Sequence, residues 1–191
     1  MIASRFGYGN PDGSIRARDQ SVSLCYCPSK MRGAMTVRHI IRLATNADAR
    51  DIALMSRDTI EHELHWHWRE PVVRQSIADA SVNVAVMRNH EELIGFGLMR
   101  YEDDSAHLLL FAVAERHRRR GVGSTLLNWL QDVATTAGIG HVKCEVRAEN
   151  SGALAFYQRH GFRPVSEVVG MYGGYVDGIR LEKGNVVKTL E

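Results

Sequence analysis

Residues 106–124 read AHLLLFAVAERHRRRGVGS, and this stretch decides the fold. Residues 106–113 are an almost unbroken apolar run, the pattern of a strand buried on both faces. From Gly121 the period changes. Val122, Leu126, Leu127, Leu130, Val133 and Ala134 recur at helical spacing up to Ala137, and Gly138 and Gly140 end the run. Between strand and helix lies Arg118-Arg119-Arg120-Gly121-Val122-Gly123-Ser124. The first turn of a helix carries unpaired N–H groups and the positive end of the helix dipole. Gly121 and Gly123 let an anion approach those amides, and the arginines add charge-assisted bonds. The loop suits a pyrophosphate; the plainer alternative is a basic helix start that is merely solvated. A P-loop requires a lysine after its last glycine, and none follows here. A dinucleotide fingerprint requires a third glycine where Leu126 stands.

Outward from this unit the chain alternates between short strands and helices. Residues 141–147 put Val142, Cys144 and Val146 on one face and Lys143, Glu145 and Arg147 on the other. Residues 150–160 read as a short helix stopped by Gly161. Strands over 162–169 and 179–183 follow, joined by a Gly/Tyr-rich turn. Upstream, residues 37–43 read as a strand, and Thr45 to Asp48 offers N-cap chemistry. Ile52, Met55, Ile60 and Leu64 mark an apolar helical face, and a second helix is expected over 72–78, after Pro71. Strands over 82–87 and 94–101 flank a polar turn at 89–92; Gly95 and Gly97 are expected to let another backbone come close. Strands on either side of the Gly121 helix form a β-α-β unit and must be parallel. The upstream strands read as antiparallel hairpins. The sum is an α/β (α+β) fold: a mixed, mostly antiparallel central sheet with helices on both faces. It spans residues 35–191. Residues 1–34, rich in Gly, Ser, Arg and Pro, read as a flexible or loosely ordered extension.

Composition narrows the partners. The 191 residues make one domain's worth, and a net charge of +2 gives no global field for nucleic acid. The basic cluster from Arg116 to Arg120 is local, with no aromatic platform nearby. No apolar window reaches membrane-spanning length and no secretory core is visible, so no membrane partner and a cytoplasmic location are expected. Three cysteines, Cys25, Cys27 and Cys144, show no disulfide framework. Cys25-Tyr26-Cys27 is too tight for a zinc half-site. His62, His65 and His67 lack His-Glu-x-x-His spacing, so no metal is expected.

Arg118-x-x-Gly121-x-Gly123 resembles motif A of the GNAT superfamily of N-acetyltransferases. Asn150-x-x-Ala153-x-x-Phe156-Tyr157-x-x-x-Gly161-Phe162 resembles its motif B. Two motifs in order, on the expected elements, make the resemblance specific; Glu115 departs from it, since the family often has proline there. The resemblance implies acetyl-CoA as co-substrate. It implies that the Phe111-Ala112-Val113 strand edge pairs with the pantetheine arm. Amides from Arg119 to Ser124, through Arg120, Gly121, Val122 and Gly123, would hold the pyrophosphate. Asn150 would contact the cofactor arm, and Tyr157 would sit beside the thioester sulfur.

Acetyl transfer to an amine needs the ammonium deprotonated, the thioester carbonyl polarised and the leaving thiolate protonated. Tyr157 is the candidate acid, since a phenol arrives protonated at neutral pH. Its alternative is a core aromatic, a role that Phe156 would fill instead. Glu145 is the candidate base; its alternative is a cross-strand ion pair with Arg147 or another base. Cys144-Glu145-Val146-Arg147-Ala148-Glu149-Asn150 resembles a segment of ribosomal-protein alanine N-acetyltransferases, which implies the base role for Glu145 and the acid role for Tyr157. Residues 65–70 depart from that group's pattern, which leaves the acceptor open between a peptide N-terminus and a small-molecule amine. Trp66, Trp68 and Tyr172 are the candidate acceptor-binding residues, and Cys144 reads as core. The expected function is acetyl transfer to a primary amine by direct attack in a ternary complex. The alternative is a non-catalytic acyl-CoA-binding or sensor module. Edge strands of such sheets often pair between subunits, which leaves a homodimer open.

Overall fold

The computed structural model describes residues 40–184. The expected extension at 1–34, Cys25, Cys27 and the first three residues of the expected strand at 37–43 lie outside them. The elements are β1 (Ile40–Leu43), α1 (Ala49–Thr59), α2 (Glu70–Ala78), β2 (Val82–Asn89), β3 (Glu92–Tyr101), β4 (Ser105–Val113), α3 (Val122–Thr136), β5 (His141–Arg147), α4 (Ser151–Arg159), β6 (Arg163–Tyr172) and β7 (Val176–Gly184). They build a seven-stranded sheet of order β1-β2-β3-β4-β5-β7-β6. Only β4 and β5 are parallel, the pair joined by α3; every other neighbour is antiparallel. β7 lies inside β6, a placement that hairpin patterning alone does not fix.

Two cores cover the two faces. On one, α3 and α4 bring Leu126, Leu127, Leu130 and Tyr157 onto Met87, Leu108, Cys144 and Leu181. On the other, α1 and α2 bring Ile52, Ala53 and Val73 onto Val84, Phe96, Leu98 and Leu110. Leu126, Leu127 and Leu130 are fully buried; truncating one to alanine costs about 3 kcal/mol.

Several boundaries move. The turn at 89–92 tightens to His90 and Glu91, because Asn89 and Glu92 pair and His90 takes a φ of 52°. α2 starts at Glu70, with Pro71 in its first turn, where a missing N–H costs nothing. α1 ends at Thr59 and buries Ala49, Ile52, Ala53 and Ser56, so Ile60 and Leu64 belong to the following loop. At Gly97 the close approach is by a side chain: a Cβ there would meet Leu130 Cδ1 at 2.6 Å.

Asp48 ties the first elements together. Buried at 2% exposure, its carboxylate accepts from Arg42, Arg88 and the Thr45 N–H. Burial opposes its ionisation, but these donors outweigh it and hold the carboxyl well below the usual range.

Candidate active site

β4 and β5 are paired only from Ser105↔His141 to Leu108↔Cys144. Beyond that point β4 stays on β3 up to Val113, and β5 stays on β7 up to Arg147. The two strands therefore part, forming a fork whose open side leaves the second half of β4 without a β5 partner. The register shift against Leu98 and Met99 leaves Leu109 unopposed on β4. It also reverses the side-chain faces: Ala106 and Leu108 enter one core, Leu110 and Ala112 the other. Phe111, Ala112 and Val113 lie on the open stretch.

β4 leads through a 3₁₀ turn at Glu115–His117 into α3. Gly121 is the N-cap, with a φ of 83° and no atom within 4 Å of where a Cβ would stand. Only glycine takes that backbone without strain, and it leaves the space over the helix start open. No side chain caps the helix. Its first bond of helical span runs from the Thr125 N–H to the Gly121 carbonyl at 2.9 Å. The amides of Val122, Gly123 and Ser124 therefore lack an intrahelical acceptor. Arg118 folds back, its Nε donating to the Val113 carbonyl at 3.1 Å, while Arg116 and His117 bind Glu92. Arg119 and Arg120 are exposed beside the amides. His160, which the motifs do not single out, lies 3.0 Å from Ser124 Oγ through its Nε2. Burial, with Lys183 and Arg159 nearby, lowers its pKa and favours the neutral imidazole.

Asn150 is the N-cap of α4: its Oδ1 accepts from the Ala153 N–H at 3.0 Å. The expectation that Phe156 fills the core and frees Tyr157 is reversed in packing. Tyr157 is only 6% exposed, while Phe156 is half-buried and stacks on Phe111 with centroids 5.8 Å apart. The helix turns residue 157 toward the Cys144 face of β5, where its ring also meets Phe162 at 5.3 Å. Burial, with Cys144 and Tyr172 next to it, pushes the Tyr157 phenol well above its ordinary pKa. The same burial and the neighbouring Glu145 push the Cys144 thiol up, so it is not a nucleophile at neutral pH.

Glu145 is half-buried, and its Oε2 lies 2.6 Å from His107 Nε2. Its partner is thus His107, not Arg147, whose guanidinium donates to the carbonyls of Ile60 and His62. Tyr172 is pushed up to about 12 by burial and by Glu145, with Arg147 opposing.

The facing wall is the α1–α2 loop. Glu61, absent from the sequence-derived candidates, is buried and accepts from Ser56 Oγ and from the N–H groups of His67 and Trp68. Tyr175 donates from its hydroxyl to the Glu63 carbonyl at 2.9 Å. Trp66 and Trp68 are half-buried against the second core, with the Arg57 guanidinium 5.5 Å from the centre of the Trp66 ring. His65 and His67 point outward. Among the described residues no three His, Cys, Asp or Glu side chains converge on a metal position, and no helix is long and apolar enough to cross a membrane.

Comparison with known proteins bears on this geometry. The model of the acetyltransferase (GNAT) family matches residues 47–162. The [ribosomal protein bS18]-alanine N-acetyltransferase of Escherichia coli (strain K12) is 30% identical over 104 residues, which is 54% of this chain and 70% of that one. The crystal structure of Ard1 from Thermoplasma volcanium superposes with a TM-score of 0.69 at 23% identity, covering 76% of this chain and 97% of that one. Arabidopsis thaliana NAA60 in complex with acetyl-CoA gives 0.67 at 19% identity, covering 78% and 99%.

Proposed function

This chain belongs to the acetyltransferase (GNAT) family and is an acyltransferase, and we propose from that premise that it acetylates a primary amine with acetyl-CoA. One observation carries the reading. An uncapped helix start, opened by Gly121, stands at the end of a strand that has parted from its neighbour, with Glu145 and Tyr157 flanking the same fork. The amides of residues 119–124 would take the pyrophosphate, and the free edge at Phe111–Val113 the pantetheine arm. Glu145 accepts the proton of the acceptor ammonium. The amine nitrogen then attacks the thioester carbonyl carbon and the C–N bond forms; as the C–S bond breaks, the Tyr157 phenol protonates the leaving thiolate, and the second proton shed by the new amide nitrogen returns to the Tyr157 phenolate. No covalent intermediate on the enzyme is needed.

The likeness to an alanine N-acetyltransferase supports a peptide N-terminus as acceptor, with small-molecule amines the other class. Glu145→Gln and Tyr157→Phe are each expected to lower turnover by about 10²-fold or more while leaving acetyl-CoA affinity nearly intact. Turnover equal to wild type in either variant removes that residue from the mechanism. Acetyl-CoA binding with no CoA release across a panel of peptides and amines would favour the sensor reading instead.

A further inference from the structure

We propose that His107 is a positioning residue for Glu145, holding one carboxylate oxygen so that the other is presented to the acceptor amine. This rests on the reading of Glu145 as the base. His107 is the one polar residue in the apolar run 106–113, and neither family motif accounts for it. It stands on β4 immediately before the fork, opposite Lys143 in the parallel register, and its ring reaches two positions further along β5, just past the last pair, to Glu145. At 2.6 Å the Nε2–Oε2 contact is a charge-assisted hydrogen bond, and both side chains are half-buried.

Among the described residues, the surrounding cations are engaged elsewhere or face solvent. Lys143 donates to Glu102 at 2.8 Å, and Arg147 to the α1–α2 loop. Arg180 on β7, the register partner of Glu145, is exposed. So is Arg100 on β3, the register partner of His107. His107 is therefore the group that fixes the Glu145 rotamer. With its Nε2–H on Oε2, it leaves Oε1 free. An imidazole on two rotatable bonds also loses little entropy in doing so.

The competing role is a clip that merely ties the fork shut. Four proteins separate the two: His107→Ala, His107→Gln, Glu145→Gln and the double variant His107→Ala/Glu145→Gln. His107→Ala is expected to lower kcat about tenfold, with the KM for acetyl-CoA unchanged and only a small fall in melting temperature. His107→Gln, whose amide reaches the same oxygen, should recover most of kcat. In the Glu145→Gln background, His107→Ala should cost less than about twofold, because its effect runs through the carboxylate. Should His107→Ala fold poorly, His107→Asn, whose amide stops a methylene short, carries the same comparison. Full kcat in His107→Ala with a crippled Glu145→Gln overturns this proposal and leaves the base in place. An equal loss in both backgrounds makes His107 a clip and also overturns it. Wild-type turnover in Glu145→Gln removes the base itself, and the proposal with it.

Discussion

The β4–α3 loop and the α1–α2 loop flank one fork, but they are held in different ways. In the first, the anion-facing turn itself is made by neighbours in sequence, a glycine cap, the amides after it and an arginine folded back over five residues, while Glu92 and His160 brace its flanks from further away. The second is held from a distance. Arg147 reaches back to Ile60 across 87 positions, and Tyr175 to Glu63 across 112. Inside it, the Glu61 carboxylate substitutes for a regular ladder by accepting two backbone amides. A surface that binds a constant cofactor can be written into a short motif. A wall assembled from remote side chains can be remodelled by single substitutions without disturbing the motif.

The largest expected effect tests that division. Glu61→Ala orphans two amides and a serine hydroxyl, and should destabilise the protein by about 3 kcal/mol. Denaturant unfolding measures the loss, and steady-state kinetics should place the remaining defect in the acceptor KM rather than that of acetyl-CoA. An equal rise in both would mean that the two loops are one mechanical unit.

Asp48 extends the same long-range logic to β1, α1 and β2. Its folded pKa lies below the unfolded value near 3.8, so its stabilisation is present above that pH and fades as pH falls below it. Asp48→Asn should cost about 2 kcal/mol at pH 7 and less in acid. Melting curves from pH 7 to pH 3 should show the gap to wild type steady down to about pH 4 and starting to narrow below it.

Gly121→Ala sharpens the local side. The new Cβ meets nothing, so the cost is backbone strain of about 1 kcal/mol plus a weakened cofactor site, with the acceptor KM unaffected. Calorimetric titration with CoA measures the second part. Tyr175→Phe is the smallest change, about 0.5–1 kcal/mol for one exposed hydrogen bond, and should appear only in the acceptor KM.

This contrast also explains what could be read from the chain. The strand–loop–helix at 106–137, the two faces of 141–147 and the cap at Asn150 follow from periodicity and from local hydrogen-bonding chemistry. His107 and the Glu145 contact escaped because they depend on which strands become neighbours, and Glu61 because its bonds to Ser56, His67 and Trp68 lie in an irregular loop that follows no sequence period. His107 reaches Glu145 across 38 positions, through a parallel pairing whose extent is a tertiary property. Tyr157 sits deeper than Phe156 because α4 docks by its contact with β5, and a 3.6-residue period does not choose between adjacent aromatic residues. The order of β6 and β7 escaped for a similar reason: an antiparallel hairpin can join a sheet through either strand.

A crystal structure with acetyl-CoA bound tests the cofactor cradle most directly. The diphosphate oxygens should lie within hydrogen-bonding distance of the amides of Gly121, Gly123 and Ser124, with the pantetheine arm running along Phe111–Val113 in the fork. A diphosphate bound anywhere else, with those amides facing only water, would contradict the cradle and the acetyl-transfer chemistry built on it.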